Sequence, residues 1–190
     1  ERILGGCMKF NQTPLKGAYV IELEPLCDER GVFVRTFCKE EFVRIGHNRE
    51  IVQINHSSTR EKGAMRGLHY QTPPASEIKI IRCIQGAVFD VMVDIRAGSP
   101  TFGQWYGQEL SKTNMCAVYV PEGFAHGFQT LTEDAELIYH HSAAYCPDYE
   151  RGLRFDDPVL AIQWPLPISI VSPKDRSYTL IDGSFKGIKI

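Results

Sequence analysis

The sequence predicts an all-β fold, either a sandwich or a barrel. From residue 78 onward, apolar segments of roughly 5–8 residues recur about every 10–12 residues, which is typical of strands in such folds. The segments between them are rich in Pro, Gly, Asn and Asp, which favour turns. Few stretches have helical character, so strands rather than helices must supply the core.

The first half of the chain combines strand candidates with one short helix. Residues 38–45 favour a helix, because Phe42 and Ile45 share one face and Gly46 can end it. A polar loop is expected over residues 57–63. Strands are predicted from β-branched and aromatic content over residues 17–24, 32–37 and 51–56, with a charged turn at 28–31.

The second half is almost wholly β in pattern. Within residues 87–95, Asp90 and Asp94 share one face of a strand, while Phe89, Val91, Val93 and Ile95 share the other. Ser172 and Pro173 suit the N-cap and first residue of a short helix. Further strands are predicted over residues 80–84, 105–110, 116–120, 128–131 and 136–142, with turns at 85–86 and 97–100.

The length of 190 residues, of which 43% are hydrophobic, indicates one domain with a substantial core. We expect residues 1–190 to form this domain. Residues 1–8 are interpreted as a disordered leader or a remnant of processing or cloning, and residues 165–190 as a C-terminal extension.

The net charge of −2 points neither to nucleic acid nor to a membrane surface as a partner. No apolar run approaches the roughly 20 residues of a membrane-spanning helix, and no signal peptide is visible. The six cysteines are widely spaced without a CxxC pair, which favours free thiols over disulfides or a zinc site. We therefore expect a cytoplasmic protein.

Two clusters contain histidines that could take part in chemistry. In residues 66–71, Arg66 and His69 are expected at the start of a strand, pointing to the same side, although a surface loop is the alternative for this stretch alone. His126 ends a Pro-x-Gly-x-x-His pattern, the shape of the second motif of cupins. The first cupin motif of a metal enzyme supplies His-x-His, whereas this chain has Gln71 at the third position. Two histidines are too few for a catalytic metal, so no metal is expected.

A third cluster contains Tyr139, Tyr145 and Tyr149. These tyrosines are either strand-face aromatics or part of a cavity wall, where a buried hydroxyl would need a partner. His140 and His141 would point to opposite faces of a strand. They are therefore predicted to be ordinary surface or near-surface residues.

Five segments together resemble the dTDP-4-dehydrorhamnose 3,5-epimerase family: RGLHYQ (66–71), VFDV (88–91), DIR (94–96), SPTFGQW (99–105) and PEGFAHGF (121–128). The resemblance runs from about Asp28 to Asp175. It implies a cupin-type jelly-roll β-sandwich or barrel with a few short helices, working as a homodimer without metal or organic cofactor. The implied substrate is a dTDP-linked 4-keto-6-deoxy sugar. The family converts dTDP-4-dehydro-6-deoxy-D-glucose to dTDP-4-dehydro-L-rhamnose, a precursor of cell-surface polysaccharide.

The resemblance also implies catalytic roles. His69 matches the base, and a neutral imidazole is suited to removing a proton next to a ketone. Asp175 matches the carboxylate that fixes its tautomer. Lys79 matches the cation that stabilises the enolate oxygen, and Tyr139 matches the acid on the opposite face of the sugar.

Other positions match substrate-binding residues of the family. Cations suit a diphosphate, and aromatic faces suit a base. In the family the first strands cross to the neighbouring subunit, so Arg30 would serve the partner's site. The matching residues are Arg30, Phe33, Gln53, Asn55, Arg66, Lys79, His126, Tyr145, Glu150 and Lys174.

The sequence departs from the family at Arg35 (usually Glu), Ile54 (usually Asp) and Glu77-Ile78 (commonly Gln-Gly). These departures leave the nucleotide, the sugar and the number of epimerised carbons open. A C3-only epimerase and an epimerase of another nucleotide sugar are therefore alternatives. So are a 3,4-ketoisomerase, which tends to lack the tyrosine at 139, a non-catalytic sugar-nucleotide-binding cupin and a metal cupin.

Overall fold

The computed structural model describes residues 7–190 and confirms the all-β prediction. Two short α-helices, α1 (Lys39–Phe42) and α2 (Pro173–Ser177), and two 3₁₀ turns accompany the strands. The strands are β1 (Lys9–Gln12), β2 (Tyr19–Glu22), β3 (Leu26–Asp28), β4 (Gly31–Phe33), β5 (Gln53–Thr59), β6 (Met65–Gln71), β7 (Lys79–Gln85), β8 (Ala87–Asp94), β9 (Trp105–Ser111), β10 (Cys116–Val120), β11 (Phe124–Thr130), β12 (Ala135–His141) and β13 (Glu150–Gly152).

The strands form a jelly roll of the cupin type, made of two antiparallel sheets. The first sheet has the order β1-β2-β10-β7-β12-β5, and the second has the order β13-β6-β11-β8-β9. The hairpin β3-β4 stands apart as a two-stranded sheet. Strand β6 belongs to the second sheet, whereas β7 and β12 belong to the first. These strands therefore face one another across the space between the sheets, where a cavity can form.

The alternation of side chains on β8 follows the prediction. Val88 packs in the core between the sheets, whereas Val91 and Val93 pack on the outer face of the second sheet. Asp90 and Asp94 share the inner face with Val88, and both are completely buried. Buried carboxylates need hydrogen-bonding partners: Asp90 is bonded to His126, and Asp94 to Arg96, Ser99 and Thr101.

The segments outside the sheets cover their outer faces. Phe42 of α1 is completely buried against the first sheet, and Ile168, Val171 and Ile188 pack on the second. Residues 1–6 of the expected leader lie outside the described part of the chain, and Met8 is buried, with its backbone N–H bonded to Glu41. No helix within residues 7–190 is long and apolar enough to cross a membrane.

Both predicted helix boundaries are confirmed. A 3₁₀ turn, Val43–Ile45, follows α1, and Gly46 ends it in the left-handed conformation with φ of +83°. The hydroxyl of Ser172 accepts a hydrogen bond from the backbone N–H of Asp175 at 3.0 Å, and Pro173 is the first residue of α2.

The largest errors in the predicted bounds of strands and loops lie at three places. The loop expected over residues 57–63 begins later, because β5 continues to Thr59 by pairing with β12. The strand expected over residues 128–131 begins at Phe124, since its backbone pairs with β8 from there on. The strand expected over residues 32–37 stops at Phe33, because β4 pairs only with the three residues of β3. Pairing with neighbours, rather than local propensity, decides these bounds.

Gly67 lets β6 pass close to β11. Its φ is +121°, and a Cβ there would lie 2.5 Å from Cα of Gly127. We expect Gly67→Ala to lower the free energy of unfolding by about 2–5 kcal/mol, measured by urea denaturation. Gly183→Ala is the control, because its Cβ would meet no atom within 4 Å. Equal stability of the two variants would contradict this account.

Asp94 makes stability depend on pH in the acid range. Burial opposes its ionisation, but hydrogen bonds from Arg96, Ser99 and Thr101 outweigh burial and lower the pKa of Asp94 to about 2. Because an unfolded aspartate has a pKa of about 3.9, this stabilisation is complete above that value and is lost as the pH falls toward 2. We expect Asp94→Asn to cost about 2 kcal/mol at pH 7 and progressively less below pH 4, measured by urea unfolding. The same cost at every pH would contradict the assignment.

Candidate active site

A cavity of about 820 Å³ lies between the two sheets. Its volume falls in the range of roughly 300–1,000 Å³ that is usual for small-molecule sites. Eight of the residues singled out from the sequence line its wall together: Asn55, Arg66, His69, Lys79, His126, Tyr139, Lys174 and Asp175. The fold thus gathers residues that are as far as 120 positions apart in the chain.

His69 and Asp175 form a hydrogen-bonded pair at the cavity wall. The distance from His69 Nε2 to Asp175 Oδ1 is 2.7 Å, and the other carboxylate oxygen accepts a bond from the Gly67 N–H at 3.1 Å. Burial opposes ionisation of Asp175, but the bonds from His69, Gly67 and Ser172 hold the pKa of Asp175 below its ordinary value. The ionised carboxylate keeps the Nε2 proton in place, which leaves Nδ1 of His69 as the basic nitrogen.

Arg66 lines the same cavity three residues before His69. Strict alternation would put the two side chains on opposite faces, but the left-handed Gly67 breaks it, and Leu68 then points to the outer face. The register of β6 against β11 shifts at this point. Arg66 Nε donates to Thr59 Oγ1 at 3.0 Å, which orients the guanidinium along the wall. The expected common direction of Arg66 and His69 is therefore observed.

Lys79 is the first residue of β7, and its side chain points into the cavity from the first sheet. Its side chain is 9% exposed, and its ammonium contacts the backbone oxygen of His69 at 3.3 Å and Glu77 Oε1 at 3.2 Å. A buried ammonium needs acceptors of this kind for its N–H groups. The cation is thus held beside the His69 pair rather than released to solvent.

Tyr139 lies on the wall formed by the first sheet. Burial raises the pKa of its phenol, so the hydroxyl keeps its proton at neutral pH. The hydroxyl lies 3.5 Å from Ser57 Oγ, on the part of β5 that extends beyond its predicted end. Its ring contacts that of His126 edge to face, with centroids 6.2 Å apart.

His126 is buried and bonded to Asp90, whose importance the sequence did not reveal. The distance from His126 Nε2 to Asp90 Oδ2 is 2.8 Å. The signal present in the sequence was a carboxylate on the inner face of an otherwise apolar strand. His69 and His126 therefore each bind their own carboxylate. Within residues 7–190, no three His, Cys, Asp or Glu side chains group as a metal ion would require.

His141 corrects a prediction, because it is buried rather than at the surface. It lies opposite Lys79 in the register of β7 and β12, so its side chain points into the cavity. Its Nδ1 is 2.7 Å from Glu77 Oε2, and its Nε2 is 3.3 Å from Asn55 Nδ2. No pattern in the sequence pointed to Glu77 as its partner. His140 points the other way and stacks on Phe37.

Gln53, Tyr145 and Glu150 border a smaller adjoining cavity of about 130 Å³, which shares His69 and Lys79 with the main one. Tyr145 donates its hydroxyl proton to Glu150 Oε2 at 2.7 Å, and Gln53 accepts a bond from the Tyr145 backbone N–H at 2.9 Å. These residues form the rim rather than the floor of the site.

The hairpin β3-β4 places Arg30 and Phe33 outside the cavity of their own chain. Phe33 is 67% exposed, and Arg30 is paired with Asp28. Of the departures from the family pattern, Ile54 borders the main cavity. Arg35 pairs with Glu41, and Ile78 is buried in the apolar cluster on the outer face of the first sheet.

The two walls carry complementary chemistry. His69 belongs to the second sheet, whereas Lys79 and Tyr139 belong to the first. A planar group held between the sheets would meet a base on one side and a proton donor on the other. A cation beside the base could neutralise an oxygen that becomes negative. This arrangement suits proton transfer next to a carbonyl group.

Comparison with known proteins gives a consistent result. A family model described as dTDP-4-dehydrorhamnose 3,5-epimerase matches residues 12–182. The dTDP-4-dehydrorhamnose 3,5-epimerase of Shigella flexneri is 42% identical over 169 residues, covering 88% of this chain and 93% of that protein. The dTDP-4-dehydrorhamnose 3-epimerase of Streptomyces niveus is 38% identical over 175 residues, covering 92% and 84%.

A solved structure agrees with the sequence relatives. The dTDP-6-deoxy-D-glucose-3,5-epimerase of Legionella pneumophila Philadelphia 1, in complex with dTDP-4-keto-L-rhamnose, superposes with a TM-score of 0.89 at 39% identity. The match covers 96% of this chain and 99% of that one. With a family model over most of its length and relatives at about this identity, the chain belongs to the dTDP-4-dehydrorhamnose 3,5-epimerase family.

Proposed function

We propose that the protein epimerises a dTDP-linked 4-keto-6-deoxy sugar, converting dTDP-4-dehydro-6-deoxy-D-glucose to dTDP-4-dehydro-L-rhamnose. The observation that supports this most is the placement of His69 and Tyr139 on facing sheets with Lys79 beside them. Inversion at a carbon needs a base and an acid on opposite faces, and this cavity offers both. The family and its named relatives support the same substrate class.

The reaction proceeds by proton transfer next to the C4 ketone. Nδ1 of His69 takes the proton from the carbon, and the Asp175 carboxylate stabilises the imidazolium that forms. The electron pair moves into the ketone to give an enolate, whose oxygen the Lys79 ammonium stabilises. Tyr139 then delivers a proton to the same carbon from the other face, which inverts the centre. The same steps at C3 and at C5 give the doubly inverted product.

The remaining cavity residues suit the nucleotide part of the substrate. Arg66 and Lys174 supply positive charge for a diphosphate, and both line the cavity wall.

We place the exposed hairpin residues Arg30 and Phe33 at the site of a second subunit, in a homodimer. The hairpin residues do not line the main cavity of their own chain, and the apolar side chains of the hairpin are exposed, as interface residues often are. The six free cysteines fit a reducing compartment such as the cytoplasm.

The product's stereochemistry tests this function. The protein is incubated with dTDP-4-dehydro-6-deoxy-D-glucose, the 4-keto products are reduced with borohydride, and the released sugars are identified by NMR. We expect sugars of the L-rhamnose series, inverted at both C3 and C5. Sugars inverted at C3 alone would make the protein a 3-epimerase, the activity named for the Streptomyces niveus relative. Unchanged substrate with a folded, dTDP-binding protein would refute the proposal.

Tyr139→Phe is expected to separate proton removal from inversion. Without the phenol, His69 still exchanges the substrate proton, but turnover to the epimer falls by about 100-fold or more. Deuterium incorporation from heavy water and product formation are measured on the same samples by NMR. Tyr106→Phe is the matched control, because that tyrosine packs against the same core and bonds Gln108 outside the cavity. Full epimerisation by Tyr139→Phe would show that another group is the acid.

A further inference from the structure

A chain of hydrogen bonds leads from the rim of the site to Lys79. Gln53 Nε2 donates to Asn55 Oδ1 at 3.1 Å, and Asn55 Nδ2 contacts His141 Nε2 at 3.3 Å. His141 Nδ1 contacts Glu77 Oε2 at 2.7 Å, and the other oxygen of Glu77 lies 3.2 Å from Lys79 Nζ. The side chains of Glu77, Lys79 and His141 are only 9–10% exposed.

The direction of the bonds in this chain fixes the state of each group. An amide N–H of Asn55 can only donate, so Nε2 of His141 must accept and carries no proton. The proton of a neutral His141 is then on Nδ1, where it is donated to Glu77. Burial opposes ionisation of Glu77, but Lys79 and His141 outweigh burial and hold the pKa of Glu77 below its ordinary value. Glu77 is therefore a carboxylate that pairs with the Lys79 ammonium.

The geometry leaves Lys79 with one donor for a ligand. An ammonium has three N–H groups, and among residues 7–190 the His69 backbone oxygen and Glu77 account for two of them. These two acceptors fix the position of the nitrogen at the wall, so the third N–H is available to the cavity. A lysine without them would have a flexible stem, and its ammonium would have no fixed position at the wall.

We propose that Glu77, oriented by His141, is a positioning residue that holds the Lys79 ammonium in place and directs it at the ketone oxygen of the substrate. The inference rests on the proposed epimerase function and adds two residues to its machinery. The groups that face Lys79 are Glu77 from its own strand end, His69 from β6, and Tyr139 and His141 from β12; Glu150 borders the adjoining cavity. Glu77 is the carboxylate in contact with the ammonium.

The decisive variant is Glu77→Gln, which keeps the shape and removes the charge. We expect kcat to fall by about 10-fold or more with KM and the dissociation constant of dTDP within about twofold, since the lost interaction acts on the transition state. The same substitution at Glu22, which accepts a bond from Asn11 on the surface, is the control.

Two variants of His141 test its part. His141→Leu removes the donor to Glu77 and should lower kcat in the same direction. His141→Asn places an amide N–H close to the position of Nδ1 and should recover most of that loss. Equal activity of the Leu and Asn variants would overturn the assigned role of His141.

A measurement on the free protein separates this inference from the proposed function. The ammonium of Lys79 is followed by side-chain NMR of ¹⁵N-labelled free protein and is assigned with Lys79→Met. The inference predicts that the Lys79 ammonium is held rigidly in the wild type and becomes mobile in Glu77→Gln, with no substrate needed. Unchanged mobility of the ammonium, or an unchanged kcat of Glu77→Gln beside an active wild type, would overturn the inference. An inactive wild type would instead refute the function on which it rests.

Discussion

Replacing His69 with alanine is expected to lower kcat for epimerisation by about 10²–10⁴-fold, the effect of removing a general base. His69 lies on the second-sheet wall of the cavity, and its Nε2 binds the buried carboxylate of Asp175, which leaves Nδ1 as the nitrogen that can take a proton. Solvent cannot replace it, because water has no comparable basicity at neutral pH. Binding of dTDP should change by less than about twofold, since the nucleotide cations are untouched.

Product formation by NMR and dTDP binding by calorimetry measure the two parts of this prediction. His140→Ala is the matched control, because it removes a histidine whose ring stacks on Phe37 outside the cavity. His69→Ala that turns over at the control's rate would show that another group removes the proton. A loss of dTDP binding in parallel with kcat would indicate a damaged cavity instead of a missing base.

Replacing Lys79 with methionine is expected to lower kcat by about 10²–10³-fold, as for the loss of one oxyanion donor. Methionine keeps the apolar stem in place, so the change is confined to the charge. Without the ammonium, the enolate is not stabilised, and deuterium exchange should fall together with product formation. This pattern differs from that of Tyr139→Phe, in which exchange is retained.

Single-turnover kinetics and exchange into heavy water check the lysine prediction. Lys112→Met, at an exposed position after β9, is the control for the substitution itself. If Lys79→Met exchanges substrate protons at the wild-type rate, the enolate must be stabilised by other donors. The removal also leaves Glu77 without its cation, so thermal unfolding is measured alongside to account for any loss of stability.

Most of the fold could be predicted from the sequence because its signals are local. The alternation in β8, the left-handed Gly46 and the Ser172 cap each depend on a few adjacent residues. The end of β5 could not be predicted in that way. Ser57 and Thr59 have the polar character of a loop, and only the backbone of β12 makes them a strand.

The candidate site, too, could be predicted from the sequence only in part. His69, Asp175, Lys79 and Tyr139 were expected through the family resemblance, and the fold places them around one cavity. The partners of the other histidines depend on strand register, which the sequence does not display. His126 finds Asp90 on a neighbouring strand, and His141 finds Glu77 through the pairing of β12 with β7. Three histidines around one cavity, each bonded to a carboxylate, are therefore a property of the folded chain.

The hairpin β3-β4 shows a further limit of prediction from the sequence. Arg30 and Phe33 match binding positions of the family, yet they lie outside the cavity of their own chain. We propose that a second subunit brings them to a site, and a single sequence contains no direct signal for such an exchange. The mass of the protein in solution, by light scattering, distinguishes a dimer from a monomer.

Solvent exchange tests the central claim, that His69 removes a proton next to the ketone of a dTDP-linked sugar. Wild-type protein and His69→Ala are each incubated with dTDP-4-dehydro-6-deoxy-D-glucose in heavy water, and deuterium at C3 and C5 is followed by NMR. The account predicts deuterium at both carbons with the wild type and none above background with His69→Ala. Equal incorporation by the two proteins, or none with a folded wild type, would contradict it.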